Sequence, residues 1–405
     1  MNKKISLGIA IGLMALVAAV TFIITYNYSL NVFNSKVKSV SEKESIYTKL
    51  SEIDTYVRAN YINEIDEELL NTSIMNGYTA GLNDQFAKYY SAEEYAQKTQ
   101  KESGVDIGLG FSYEKEESGY IKITEITSGS SSETAGLLVG DVITAINNTD
   151  VIAYEGGYDE AVALLNCEEG TKVKLHVKRT NLEGVSEFFA VEVVSEKTEI
   201  ISVTGRMIDN IAYIKISTFN EKTPDQFSSV LNELIGKGAE MLIFDVRDNL
   251  GGLTDSLQST LDQLLDDGDI VTAHYKNSSE VIIKTTEATQ VRMPMVVIVN
   301  GNTASCAELF AFALRDESNA QIVGTKSYGK GVLQKTHKLS GGAAIKITVA
   351  TLQTKNSGNY NGVGITPNFE VAIPADVELA LLTEEQQLES DTQLIKAIEV
   401  VSTIQ

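Results

Sequence analysis

Apolar residues first form one unbroken run, then recur in helical rhythm, and finally alternate in short strands. Residues 5–26 make a 22-residue stretch without a charge. At about 1.5 Å per residue it can cross a hydrocarbon core of about 30 Å. Between residues 31 and 101 the apolar positions return at threes and fours: Ile46, Leu50, Ile53, Tyr56 and Val57, then Leu69, Leu70, Ile74, Met75 and Tyr78. That spacing predicts helices. From 105 to 179 the pattern shortens and glycines multiply. Strands are expected at 107–111, 120–126 and 142–146, with 173–177 closing the sheet, and a helix at 157–165. Beyond 198, strands at 211–216, 241–246, 270–273, 295–299 and 321–323 alternate with helices near 224–235 and 255–265. Such alternation indicates an α/β layered structure. Residues 344–351 alternate as a half-buried strand, and the acidic tail 376–405 is a helix candidate.

Composition narrows the function. The chain has 405 residues, room for two or three domains, and a net charge of -22 from 55 acidic and 33 basic residues. That balance argues against a nucleic-acid partner, whose affinity comes from lysine and arginine on phosphates. The three histidines, His176, His274 and His337, have no metal-binding spacing, so no metal is expected, and without a cofactor-binding signature no cofactor is expected either. Cys167 and Cys306 make no disulfide framework. Lys3 and Lys4 before the apolar run orient the short N-terminus to the cytoplasm and the rest outside. The run reads as an uncleaved anchor, although Val17-Ala18-Ala19 is a tolerable cleavage site.

The chemistry gathers at 299–334. An apolar strand ends in the turn Asn300-Gly301-Asn302, and a helix follows with Ser305 in its first turn. Strand, sharp turn and helix present a hydroxyl well. The Cys306 amide is then an unpaired helix N-terminal donor, where negative charge is favoured. A second strand leads to Gly329-Lys330-Gly331. VNGNTASCAE and GTKSYGKGVLQ together resemble the serine active-site segments of the C-terminal processing, or tail-specific, peptidases. The lysine follows the serine by 330 − 305 = 25 positions, and Gln334 lies four beyond it, as in that family. Cys306 and Ala307 depart from the family's usual Ala and Ser.

The resemblance extends to about residues 45–400. Gly81-Leu82-Asn83-Asp84 and Tyr89-Tyr90-Ser91 are similar to a family stretch ahead of the PDZ module. Ala135-Gly136-Leu137-Leu138-Val139-Gly140-Asp141 resembles the PDZ turn A-G-L-x-x-G-D, with Ser131-Ser132 where Pro-Ala is usual. The peptide site is expected at Gly108, Leu109, Gly110 and Phe111, with Ala161 and Leu165 on the helix. There an extended tail can add to a sheet edge. FDVRDNLGGL at 244–253 resembles a second family motif, and Gly362 to Pro367 and 391–397 resemble its closing segments.

The family implies a crotonase-like core with an inserted PDZ domain. It also implies a Ser305/Lys330 dyad, an oxyanion hole from the Gly252 and Cys306 amides, and a Gln334 amide oxygen that accepts from the lysine. A solvated lysine is charged at neutral pH, so burial must depress the Lys330 pKa before it can act as a base. Cys306 has no histidine partner in a recognisable motif. Asp316 reads as a surface charge at a helix end, and His337 as a solvated strand residue.

The expected division is 1–29 cytoplasmic stub and anchor, 30–101 helical region and 102–197 PDZ domain. The catalytic core follows at 198–370, then a C-terminal helical region at 371–405 that could serve a homodimer contact. The function implied is a membrane-anchored, extracytoplasmic serine endopeptidase acting near the C-termini of protein or peptide substrates. The rivals are an inactive PDZ scaffold on a peptidase fold, and an acyltransferase or hydratase on the same core.

Overall fold

A computed structural model describes residues 7–127, 129–181, 184–286, 291–375, 377, 379 and 382–404. Lys3 and Lys4, and parts of the acidic tail, lie outside the described residues. The chain divides into two units, 1–74 and 75–405.

The first unit is dominated by one helix, Leu7–Asn60. Its Gly12–Leu30 portion is long and apolar enough to cross a membrane, and none of it is buried. Lower down, Arg58 joins Asp54 at 2.8 Å and Glu67 at 2.5 Å, the latter at the start of the next helix, Glu67–Ala80.

Within the second unit, a six-stranded sheet carries the half expected to be catalytic. Its order is Val203–Ile208, Ile211–Ile216, Met241–Asp245, Met295–Val299, Gln321–Gly324 and Phe369–Glu370. The first pair is antiparallel and the others are parallel. Parallel strands lie between two helical layers, so they read as continuous apolar runs. All five residues of Met295–Val299 are buried. Alternate side chains divide between the faces. Val297 and Val299 join Phe244, Leu257, Leu309 and Phe310 on one side, beneath the helices Thr223–Gly236, Thr254–Leu261 and Cys306–Ser318. Val296 and Ile298 meet Leu394, Ala397, Val400 and Val401 of the helix Thr392–Val401 on the other. The tail helix therefore spends its apolar face on its own sheet.

A second, antiparallel sheet forms the far wall of the site. Its central strand, Ala344–Thr354, pairs with Val332–Lys338 along one edge. Along the other edge it pairs with Lys88–Tyr90 and Gly268–Tyr275.

The sheet of the expected PDZ module runs Phe111–Lys115, Ile121–Ile126, Val142–Ile146, Lys172–Thr180 and Ser186–Val194. Two expectations are corrected here. Residues 173–177 do not close the sheet, because the amphipathic strand Ser186–Val194 pairs beyond them and buries Val193. The expected strand 107–111 is broken at Leu109-Gly110. Its first half, Val105–Gly108, pairs with Glu196–Glu199 instead. The chain thus enters and leaves the PDZ sheet through one two-stranded ribbon.

Candidate active site

Two loops at the ends of neighbouring parallel strands are laced together. Thr303 Oγ1 donates to Val246 O at 2.9 Å, and Ala304 N to Asn249 O at 3.0 Å. Asp248 accepts from the side-chain amides of Asn300 at 2.9 Å and Asn302 at 2.8 Å. Asn249 donates to Ile216 O at 2.9 Å and accepts from Gly251 N at 2.8 Å. The glycine loop is thereby pressed against Ser305. A Cβ on Gly251 would stand 2.9 Å from Ser305 Cβ and 3.0 Å from Cys306 N. Gly252 has φ +146° and lies so close to Phe219 that a Cβ would come within 2.1 Å of its carbonyl oxygen. Neither the Gly252 nor the Cys306 N–H takes part in the backbone hydrogen-bond pattern of the described residues.

Ser305 caps the helix rather than standing in its first turn. Its φ of +57° and ψ of −119° are unusual for a residue with a side chain. Such a strained elbow aims the hydroxyl off the helix end.

Glu308, which motif reading passed over, is fully buried one turn later. Its carboxylate accepts from Ser305 N at 3.0 Å, Lys330 N at 2.8 Å, Gly329 N at 2.8 Å and Ser327 Oγ at 2.5 Å. Burial raises its pKa, although these four donors favour the charged form. Its signal in the sequence is its place closing the VNGNTASCAE motif. The Gly362–Ile365 segment holds the lysine loop from behind. Ile365 N donates to Ser327 Oγ at 2.6 Å, and a Cβ on Gly329 would stand 2.8 Å from Gly364 N.

Ser305, Lys330, Gln334, Gly252 and Cys306 all line one cavity of about 390 Å³. Leu250, Leu253, Leu309, Val332 and Leu352 make much of its wall apolar. Lys330 is half-buried, and its pKa is lowered by desolvation and then by the charge of Lys346, while Cys306 and Glu308 pull the other way. Its Nζ stands 5.1 Å from the centroid of the Phe86 ring, its one side-chain contact of this kind among the described residues. Phe86 follows Asp84, whose carboxylate accepts from Thr348 N at 2.9 Å and Thr348 Oγ1 at 3.1 Å.

Two expectations change. No hydrogen bond joins Gln334 to Lys330 among the described residues: beside a register shift after Leu333, the Gln334 amide nitrogen donates to Val332 O at 3.1 Å. Asp316 is no surface charge, since it is buried among Arg315, Thr354 Oγ1 at 2.7 Å and Asn356 N at 3.0 Å. The Cys306 thiol is buried and pushed up to about 11 by desolvation, so it is protonated at neutral pH. His337 is exposed on its strand.

A second cavity, of about 590 Å³, is lined by 106–113 of the PDZ module and by 165–169. It brings Gly108, Leu109, Gly110 and Phe111 together beside Leu165. Ala161 is instead sealed in the module's core. Among the described residues, the outer edge of Phe111–Lys115 has no strand partner. Gly110, at φ +84°, admits no side chain, because its Cβ would lie 2.2 Å from Ser130 Cβ. Helix Ala92–Glu102 separates the two cavities: Glu93, Gln97 and Gln100 line this one, while Tyr95, Lys98 and Glu102 line the other.

Fold and site define a serine-type peptidase built with a PDZ domain. Residues 210–371 match peptidase family S41, and residues 122–179 match the PDZ domain. The carboxy-terminal processing protease CtpA of Bacillus subtilis is 30% identical over 393 residues, which cover 96% of this chain and 82% of that protein. The chloroplastic carboxyl-terminal-processing peptidase 1 of Arabidopsis thaliana is 29% identical over 303 residues, covering 73% of this chain and 61% of that one. A solved S41 protease from Bacteroides fragilis has the same fold, with a TM-score of 0.54 at 16% identity over 85% of this chain and 92% of its own. The chain belongs to the carboxy-terminal processing serine peptidases of family S41 that carry a PDZ domain.

Proposed function

We propose that this protein is a single-pass, membrane-anchored endopeptidase that cleaves extracytoplasmic proteins near their C-termini. The Gly12–Leu30 stretch serves as the anchor, and the sheet with its two helical layers is read as a crotonase-like core. The PDZ groove at Gly108 to Phe111 takes the substrate tail. The observation that carries the chemistry is the single Glu308 carboxylate that holds the backbones of both Ser305 and Lys330 at the mouth of one cavity.

In the proposed reaction, neutral Lys330 leaves the Phe86 ring and takes the proton of Ser305 Oγ as that oxygen bonds to the scissile carbonyl carbon. The negative charge moves to the carbonyl oxygen, where the Gly252 and Cys306 N–H groups receive it. The C–N bond then breaks, and the departing amine takes the proton from Lys330. Water attacks the acyl-serine with Lys330 again as base, releasing the acid and restoring the hydroxyl. Gln334, freed from Val332 O, would orient the lysine.

The experiment compares wild type with Ser305→Ala in the native envelope. Full-length precursors of shortened proteins should accumulate in the variant. Identical C-terminal profiles in the two would refute the assignment.

A further inference from the structure

The catalytic cavity carries more positive charge than the dyad requires. Three lysines line it, Lys98, Lys330 and Lys346, against one carboxylate, Glu102, on a chain of net charge -22. Lys98 is already matched to Glu102 at 2.5 Å. Lys88, which pairs in register with Lys346 across the sheet, is matched to Glu94 at 3.2 Å. Lys346 has no carboxylate partner among the described residues. Its Nζ lies 5.7 Å from the centre of the Tyr90 ring, which Lys88 and Lys98 also approach, at 4.9 and 6.0 Å. The buried ring thus gathers three cations, and one of them faces the cavity without an anion.

The placement is specific. Thr336 pairs with Lys346 and lies four residues along the strand from Val332, which is two residues after Lys330. Four strand residues span roughly 13 Å. A lysine stem covers part of that distance, so a group meeting Lys346 would sit roughly two to four residues of extended peptide from the scissile bond.

We propose that Lys346, with Lys98 beside it, forms an anion-binding subsite of the catalytic cavity that takes a substrate carboxylate near the cleavage point. The inference rests on the peptidase reading given above and is distinct from the PDZ groove. Its ligand chemistry is a carboxylate, from either an Asp or Glu side chain or a free C-terminus. A half-buried ammonium meeting a carboxylate makes a charge-assisted hydrogen bond, stronger than one between neutral groups.

The test uses the full-length protein and two peptide pairs sharing one cleavage sequence. One pair exchanges Glu for Gln within four residues of the scissile bond and keeps the same tail. The other ends shortly after it as a free acid or an amide. The kcat/KM ratio within each pair is measured for wild type, Lys346→Met and Lys346→Arg. Taking ratios within one enzyme cancels any effect on Lys330 and any PDZ contribution common to all three proteins. Wild type should favour the carboxylate member of at least one pair about tenfold. Lys346→Met should bring that ratio near one, and Lys346→Arg should retain it. The pair that responds identifies the source of the carboxylate. A ratio unchanged by Lys346→Met in both pairs overturns the subsite. The same peptides are titrated onto Ser305→Ala with and without Lys346→Met. Discrimination there without cleavage by wild type would support the subsite while refuting the peptidase reading. Cleavage without discrimination would do the reverse.

Discussion

Glu308 accepts the backbone N–H of Lys330 at 2.8 Å, although 22 residues separate them in sequence. The same carboxylate holds Ser305 N, so the two proposed reacting residues share one buried anchor. Replacing Glu308 by Gln keeps the size but loses the charge and one acceptor position. A misplacement of about 1 Å can cost roughly 10²-fold in rate. Glu308→Gln should therefore lower kcat about a hundredfold while the affinity of the PDZ groove for a tail peptide stays the same. Steady-state kinetics and peptide titration on one preparation check both.

Lys330 is pushed towards neutrality by burial first and by Lys346 second. Activity should rise with pH as Lys330 loses its proton, with a midpoint below the ordinary lysine value of about 10.4. Removing the like charge in Lys346→Met makes protonation of Lys330 easier, so the midpoint should move to higher pH. A pH profile of kcat/KM on a substrate without acidic residues measures the shift.

Gly252 lies where φ is +146° and where a Cβ would meet Phe219 O at 2.1 Å. Gly252→Ala must move the loop and with it the proposed oxyanion donor. Loss of one such donor costs roughly 10²–10³ in kcat. Acylation rates should fall by that order, with tail binding unchanged.

The tail helix is fastened through a buried ion network. Arg247 donates to Asp391 at 2.8 and 3.0 Å and to Asp245 at 2.6 Å, and Asp391 also caps the helix at Gln393 N and Leu394 N. Asp391→Ala leaves the guanidinium partly unmatched and should cost about 3–5 kcal/mol in denaturant unfolding. Burial opposes charge on Asp245, but Arg247 overcomes it and holds the carboxyl below the ordinary aspartate value. Its stabilising contribution is therefore complete above the ordinary value of about 3.9 and is lost as pH falls through the lower folded one. Unfolding midpoints measured down the acid range should show that loss, and less of it in Asp245→Asn.

The parallel strands were legible because both their faces are buried: 211–216 and 295–299 stand where the apolar runs placed them. That Ser305 and Lys330 line one cavity was legible because their spacing is local to two motifs. Contacts set by distant chain segments left no periodic trace. The meeting of Phe86 with Lys330 depends on Asp84 docking onto Thr348, far away in sequence. The donation of the Gln334 amide to Val332 O accompanies a strand irregularity that alternation cannot reveal. The strand Ser186–Val194 lies outside the expected set although it is rich in strand formers, because apolar residues stand on both its faces, with Phe188 exposed on the outer one, and blur the inward–outward alternation.

The most direct measurement is the initial rate of cleavage of an unstructured protein by wild type and by Lys330→Ala at one pH. Lys330→Ala should lose nearly all activity while still binding the substrate's tail. Equal rates, or no cleavage by either protein while both bind the tail, would contradict the dyad.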